Sequence, residues 1–191
     1  MGTLRNVPAT GGTSAYSLGT DTISLTVNQA PYIGTPEGED MTGSTSFDGT
    51  PVDDVMTGNG GADKISAGDG NDIIILNADN ISFMDASLDD ATRVDGASGI
   101  NILKLDGSGI SFELDYMISQ QNPDQNVINN ISHIDITGDG DNSLTIDINQ
   151  VLQLINGAGL ADNLTTANVD ESKMLVITGD AGDQLTFNDT D

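Results

Sequence analysis

Short segments that alternate apolar and polar residues recur along this chain, and each follows a turn rich in glycine and aspartate. Leu144, Ile146 and Ile148 fall on one face of such a segment, and Leu185 and Phe187 fall on one face of another. Period-two alternation of this kind predicts half-buried β-strands. The turn-and-strand units occupy residues 95–105, 106–114, 137–148 and 178–187. The pattern therefore predicts a mainly β fold.

One segment has helical rather than strand periodicity, and it predicts a helix over residues 148–156 with one face on the core. Asp147 can cap the start of this helix and Gly157 can end it. Its apolar residues, spaced i, i+3, i+4 and i+7, are Ile148, Val151, Leu152 and Ile155. A weaker pattern over residues 81–94 permits another short helix.

Residues 1–34 differ from the rest of the chain because they hold a single alternating run, at residues 22–27. This run resembles the last strand of an immunoglobulin-like or cadherin-like module followed by a linker, and it equally fits an N-terminal strand of this domain. Residues 35–191 then form the main domain. We expect a monomeric module within a larger chain.

Charge changes this picture, because the 191 residues carry a net charge of −25 and 30 acidic residues, of which 26 are aspartate. Aspartate favours turns and hard-cation sites over helix interiors. Such a charge repels itself in a compact state, so we expect a divalent cation to be part of the fold. With five Lys or Arg residues, the chain lacks the basic surface that nucleic acids or anionic membranes need, and no segment approaches the length of a membrane span.

A nine-residue repeat lies at residues 49–75. Its two clearest copies are GNGGADKIS (58–66) and AGDGNDIII (67–75), and a weaker copy occupies residues 49–57. Aspartate stands at the sixth position of each copy and a large apolar residue at the eighth. The aspartates are Asp54, Asp63 and Asp72, and the apolar residues are Met56, Ile65 and Ile74.

This repeat resembles the G-G-x-G-x-D-x-U-x pattern of RTX (repeats-in-toxin) proteins, which wind into a calcium-bound parallel β-roll. The resemblance implies that turns eighteen residues apart stack with Ca²⁺ between them. Asp54 and Asp72 would then share one edge, with Asp69 and the Gly68 carbonyl nearby, and Asp63 would need a partner near residues 77–80 on the other edge. We expect a short β-roll joined to a larger β-domain, with several Ca²⁺ ions.

The later motifs are weaker calcium signals. In TGDGDNSL, Asp139 and Asp141 stand two positions apart, as in many oxygen-ligand loops. Leu144 replaces the turn glycine of an EF-hand and Gln150 replaces its bidentate glutamate, so this is not an EF-hand. An ordinary Asp/Gly hairpin turn fits each of these motifs as well as a metal loop does.

Residues 94–187 resemble a module of large bacterial RTX adhesins, on the segments VDGASGINILKLDGSGISFEL, NISHIDITGDGDNSLTIDINQVLQLI and MLVITGDAGDQLTF. The resemblance implies type I secretion, folding in external Ca²⁺, a place on the bacterial cell surface, and adhesion or biofilm formation through peptide or protein C-termini. A partly coordinated Ca²⁺ beside glycine N–H groups suits a terminal carboxylate. The candidate ligand-binding residues are Asp95, Gly96, Ser98, Asp106, Gly107 and Ser108.

Other functions stay open at this point. A calcium-stapled spacer would lack a pocket, and a calcium-dependent carbohydrate-binding domain would usually offer an exposed aromatic ring. An enzyme is not expected, because no nucleophile elbow, H-E-x-x-H motif or P-loop occurs and the single histidine, His133, lies in a strand-like run. The absence of cysteine excludes disulfides and thiol chemistry.

Overall fold

The computed structural model describes residues 31–43, 51–85, 90–114, 117, 126–156 and 174–188. Over these ranges the protein is mainly β, which confirms the predicted class. The strands are β1 (Tyr32–Ile33), β2 (Asp40–Thr42), β3 (Val55–Thr57), β4 (Lys64–Ser66), β5 (Ile73–Asn77), β6 (Arg93–Asp95), β7 (Ile102–Asp106), β8 (Ser111–Glu113), β9 (Ile128–Asn129), β10 (His133–Asp135), β11 (Ser143–Ile146), β12 (Val176–Thr178) and β13 (Gln184–Phe187). The helices are α1 (Ala78–Ser82) and α2 (Ile148–Asn156).

The strands form three sheets, and every strand pair in them is parallel. Sheet 1 has the order β1-β3-β5-β7-β10-β12, sheet 2 the order β2-β4-β6-β9, and sheet 3 the order β13-β11-β8. After each strand of sheet 1 except β12, the chain leaves the sheet and then returns to pair beside the strand it left. The described chain therefore winds into stacked coils, closed by sheet 2 up to β9 and by sheet 3 from β8 onward.

This stacking differs from two expectations. A hairpin turn joins antiparallel neighbours, so the all-parallel pairing excludes hairpins at the later Asp/Gly motifs among the described strands. The stacking also continues along sheet 1 from β1 to β12 instead of stopping after a short roll. The parallel register persists although the spacing between paired residues varies: Met56 pairs with Ile74 eighteen positions later, whereas Ile134 pairs with Ile177 forty-three positions later.

The core is built from columns of inward-facing side chains that lie in register from coil to coil. Phe112 and Leu144 of sheet 3 are fully buried beside them. Because strand side chains alternate between faces, one inward residue in each coil extends each column. The main column of sheet 1 holds Tyr32, Met56, Ile74, Leu103, Ile134 and Ile177, and that of sheet 2 holds Met41, Ile65, Val94 and Ile128.

The last coil leaves its apolar residues uncovered by the described chain. Leu185 and Phe187 lie in register with Leu144 and Ile146, as their alternation predicts. They are nevertheless 43% and 63% exposed, whereas Leu144 and Ile146 are fully buried. The difference arises because β13 is an edge strand, with no further described strand stacked beyond it.

Helix α2 has the predicted bounds, and its predicted core residue Val151 packs against the core, but Ile148 does not. Asp147 Oδ1 accepts the Gln150 N–H at 2.9 Å, and Gln150 Oε1 accepts the Asp147 N–H at 2.8 Å. This reciprocal cap holds Gln150 and Leu154 inside the protein, so Ile148 points outward and is 64% exposed. The expectation that Ile148 faces the core is wrong. Gly157 and the side chains of Leu152 and Ile155 lie outside the described part.

Most of the predicted N-terminal segment also lies outside the described residues, including the run at 22–27. Its last part, β1, pairs with β3, so the chain joins sheet 1 just before residue 35. In the region 81–94 the structure shows the end of α1 and the start of β6. None of the described helices is long and apolar enough to cross a membrane.

Candidate metal centre

Turns that connect the sheets lie against one another and form three turn stacks. The first turn stack leads from sheet 2 into sheet 1, the second from sheet 1 into sheet 2, and the third from sheet 1 into sheet 3. The described turns include residues 51–54, 67–72 and 96–101 in the first stack, 34–39 and 58–63 in the second, and 107–110, 136–142 and 179–183 in the third.

In the first turn stack, the residue directly before each strand is polar. The side chains of Asp72 and Asn101 each accept a hydrogen bond from the backbone N–H of the equivalent residue one coil earlier. Asp72 Oδ1 accepts the Asp54 N–H at 2.8 Å, and Asn101 Oδ1 accepts the Asp72 N–H at 2.9 Å. These three side chains form a buried ladder, because their exposed fractions are 3% or less. The structure thus places Asp54 and Asp72 on one edge, as their eighteen-residue spacing predicts.

Glycines allow the turns of this stack to approach one another closely. Gly70 has a φ of 148° and Gly99 a φ of 108°, a region that side chains disfavour. A Cβ at Gly99 would collide with the Gly70 carbonyl oxygen. The Gly68 carbonyl accepts the Ser98 N–H at 3.0 Å, and the Asp69 carbonyl accepts the Val52 N–H at 2.8 Å. The predicted metal residues Gly68 and Asp69 therefore lie in the same stack as Asp72.

Asp72 is the acidic residue of the first turn stack that has a buried carboxylate oxygen without a hydrogen-bond partner among the described residues. Its side chain is fully buried, and its Oδ2 has no hydrogen-bond partner in the part of the chain that the structure describes. Burial raises the pKa of Asp72, and the nearby carboxylates of Asp54, Asp53 and Asp69 raise the pKa further. A buried anion beside three like charges is costly unless a cation compensates it.

Asp63 lies in the second turn stack and differs from Asp72 because both of its carboxylate oxygens have partners. Asp63 Oδ1 accepts the Glu39 N–H at 2.9 Å, and Asp63 Oδ2 accepts the Asn80 Nδ2–H at 2.8 Å. Burial raises the pKa of Asp63 as well. The expected partner near residues 77–80 is thus Asn80, whose amide satisfies the carboxylate directly.

The third turn stack has the same kind of hydrogen-bond ladder, and the side chain at its centre is the amide of Asn142. Asn142 Oδ1 accepts the Ile110 N–H at 2.8 Å, and the Asn142 N–H donates to Asp183 Oδ1 at 2.8 Å. The predicted metal residues Asp139 and Asp141 lie in the same turn, and both are exposed. The structure therefore places them away from Asp54, Asp69 and Asp72, which belong to the first stack.

The candidate ligand-binding loops lie at opposite ends of β7. Because that strand has five residues at about 3.3 Å each, one small pocket cannot include both loops. Asp95 is held in place, since its Oδ1 accepts from the Ala97 N–H at 2.9 Å and from Asn130 Nδ2 at 2.7 Å. Asp95, Gly96 and Ser98 border the first turn stack, whereas Asp106, Gly107 and Ser108 border the third.

The chemistry of the first turn stack fits Ca²⁺. No group of three or more acidic or histidine side chains already converges as a metal cage among the described residues. Ca²⁺ does not require such a cage, because it also takes backbone carbonyls and single carboxylate oxygens. The unpartnered Oδ2 of Asp72 supplies one such oxygen, and Asp53, Asp54 and Asp69 supply nearby negative charge.

The raised pKa values predict that the metal-free protein becomes more stable on acidification. A carboxyl group with a raised pKa in the folded state binds its proton more tightly there, so stability is lost as the pH rises through that pKa. The pKa values of Asp63 and Asp72 are raised above the ordinary value of 3.8. In a metal-free buffer we therefore expect the thermal midpoint to be higher at about pH 4, close to the ordinary pKa of these groups, than at about pH 7.

Circular dichroism melts across this pH range test the prediction. The pKa of Asp135 is lowered by its bonds to Thr137 and the charge of Lys104, so its own effect falls below pH 3.8 and does not interfere. A midpoint that stays constant or falls as the pH is lowered from about 7 to about 4 contradicts the prediction.

Sequence reasoning located Asn80 only as part of the range 77–80, and it missed Asn142. Asn80 and Asn142 are buried and bond the backbones of neighbouring turns. Asn142 and Asp183 stand directly before a strand, as Asp72 does. A polar residue at this position is therefore a sequence signal for a side chain that bonds to the neighbouring turn.

A scan against protein-family models, a search of curated proteins and a search of solved structures each found no match to this chain.

Proposed function

We propose that this chain is a calcium-dependent ligand-binding domain of a large secreted bacterial adhesin, and that Ca²⁺ binds in its first turn stack. The observation that carries the proposal is the buried Asp72 carboxylate, which has an unpartnered Oδ2 beside Asp53, Asp54 and Asp69. A cation is the simplest group that satisfies this oxygen and also removes the repulsion between the four carboxylates.

Asp72 would hold the ion, with Asp54, Asp69 and the Gly68 carbonyl as the other candidate ligands. Bound Ca²⁺ supplies positive charge and oxygen coordination at this edge. The chain's own contribution is the rigid ladder, since the Asp72 side chain accepts the Asp54 N–H and the Asp72 N–H donates to the Asn101 side chain. A preorganised carboxylate loses little freedom when it binds an ion.

Calcium binding would act as a folding switch. With a net charge of −25, the chain repels itself when compact, and extracellular calcium modules typically bind with a Kd of about 10⁻⁴–10⁻³ M. Such affinity leaves the protein metal-free in the cytosol and loaded outside the cell. This behaviour suits a protein that is secreted unfolded and folds on the bacterial surface.

The ligand we propose is a peptide or protein C-terminus. A terminal carboxylate can complete the coordination of an ion at the rim of the turn stack, where Asp53 and Ser98 are exposed. Without the ion, the acidic surface would repel the same carboxylate. Recognition would therefore require Ca²⁺.

A peptide array tests this function, with the same peptides carrying free and amidated C-termini. We expect binding to the free C-termini in about 5 mM Ca²⁺, at least about tenfold weaker binding to the amidated peptides, and none in EDTA. Equal binding to both forms would reject carboxylate capture. No binding to any peptide would favour the calcium-stapled spacer or the calcium-dependent carbohydrate-binding domain.

A further inference from the structure

The outward face of sheet 2 forms an open groove of about 460 Å³. Its side chains come from alternate positions of neighbouring strands, so they form rows across the sheet. Asp40, Lys64 and Arg93 stand in one row, because they are register partners. The other row holds Thr42, Ser66, Asp95 and Asn129. All of these outward side chains are polar.

The two cations of the first row are unusual in this protein. The chain has only five Lys and Arg residues, yet Lys64 and Arg93 stand directly opposite each other on strands about 4.8 Å apart. Like charges in this position destabilise a sheet. Two adjacent cations are stabilised by an anion that lies close to both of them.

The described residues do not provide that anion within ion-pair distance. Lys104 and Asp135 form the single ion pair among the described residues, at 3.4 Å and on sheet 1. Arg93 is half-buried and donates to the Asn126 carbonyl at 3.3 Å, which orients its guanidinium group along the groove. Lys64 is exposed beside it.

The chemistry of the groove indicates the class of ligand. Two adjacent cations bind a carboxylate well, and a guanidinium group can bind both of its oxygens. The remaining hydroxyl, amide and carboxylate groups are hydrogen-bonding partners for hydroxyl groups. No outward apolar side chain lines the groove to hold a peptide side chain. A hydroxyl-rich ligand with a carboxylate, which is a uronate-type acidic sugar, matches this lining.

We propose that Lys64 and Arg93 form a binding site for the carboxylate of an acidic carbohydrate that lies across β4 and β6. The site needs no metal. Lys64 and Arg93 are the first residues of β4 and β6, whereas the first turn stack follows the last residues of these strands. Asp40 limits its affinity for anions because it stands next to Lys64 in the same row. The inference holds whether or not the turn stack also binds a peptide.

Isothermal titration with a hyaluronan tetrasaccharide tests the site in a buffer that contains Ca²⁺ and keeps the protein folded. We expect binding by the native protein, about tenfold weaker binding by Lys64→Gln and by Arg93→Gln, and tighter binding by Asp40→Asn. The matched control is Lys104→Gln, which removes the same charge from sheet 1 and should leave binding unchanged. Melting curves verify that each variant is folded.

A tetrasaccharide with its carboxylates reduced to alcohols separates charge recognition from general sugar binding. We expect it to lose affinity for the native protein and to show no difference between the native protein and Lys64→Gln. Unchanged affinity of Lys64→Gln and Arg93→Gln for the acidic form would overturn the site. Binding of a free peptide C-terminus in place of the sugar, with the same dependence on Lys64 and Arg93, would overturn the ligand assignment.

Discussion

We expect that removal of Ca²⁺ with EDTA lowers the thermal midpoint of this protein strongly, and that added Ca²⁺ restores it. With a Kd of about 10⁻⁴–10⁻³ M, 10 mM Ca²⁺ contributes about 1.4–2.7 kcal/mol per bound ion. Two ions would shift the midpoint of a chain of this size on the order of 10 °C. The charge of −25 adds to the loss, because the metal-free carboxylates repel one another.

The variant Asp72→Asn shows whether the first turn stack holds the ion. In Ca²⁺ we expect a lower midpoint than that of the native protein, because a ligand oxygen has lost its charge. In EDTA we expect an equal or higher midpoint, because an asparagine can still accept the Asp54 N–H, as Asn101 accepts the Asp72 N–H. A midpoint that is lowered in Ca²⁺ but not in EDTA is specific to a metal ligand.

Glu113→Gln is the matched control, because it removes the same charge at an exposed position on β8. Differential scanning calorimetry in both buffers gives the midpoints. If EDTA leaves the native midpoint unchanged, the calcium proposal fails. If Asp72→Asn destabilises equally in both buffers, the residue has a structural role only and the ion binds elsewhere.

We expect the second large effect on stability from truncation of the Asn142 side chain. Asn142 is 2% exposed, and its side chain accepts the Ile110 N–H at 2.8 Å and donates to the carbonyls of Ile136 at 3.0 Å and Gly107 at 3.1 Å. Asn142→Ala leaves these buried backbone groups without partners. We expect a loss of about 3 kcal/mol in the free energy of unfolding, the same in Ca²⁺ and in EDTA.

Urea denaturation measures this loss as a shift of the midpoint at constant slope. The control is Asn129→Ala, since Asn129 is half-buried and its amide makes one long bond, at 3.5 Å, to the Asn126 carbonyl. We expect a change of about 0.5 kcal/mol or less for the control. Similar losses for the two variants would show that the third turn stack does not depend on its ladder.

Local patterns predicted much of this fold because they depend on neighbouring residues. Alternation identified the inward residues Leu144 and Ile146, which are fully buried. The spacing of Asp147 and the following apolar residues located α2 at its observed bounds. The nine-residue repeat placed Asp54 and Asp72 on one edge, since two nine-residue units make one turn of the coil there.

The same patterns failed where the outcome depends on distant segments. Ile148 has the right spacing for a core position, but the reciprocal cap between Asp147 and Gln150 turns it outward. Leu185 and Phe187 have strand alternation, but they lie in an edge strand. Hairpins and stacked coils share the same turn residues, so only the pairing partner distinguishes them.

The amino-acid order alone established a mainly β chain with acidic glycine turns and a periodic aspartate, because these features are local. The hydrogen-bond partners and neighbouring charges of individual residues depended on the way the coils stack. Asp63 and Asp72 are equivalent in the repeat, yet Asn80 satisfies the first, while the second keeps a buried oxygen without a partner. Lys64 and Arg93 are 29 positions apart and become neighbours only through the parallel register of β4 and β6, because stacking brings together residues that no local pattern connects.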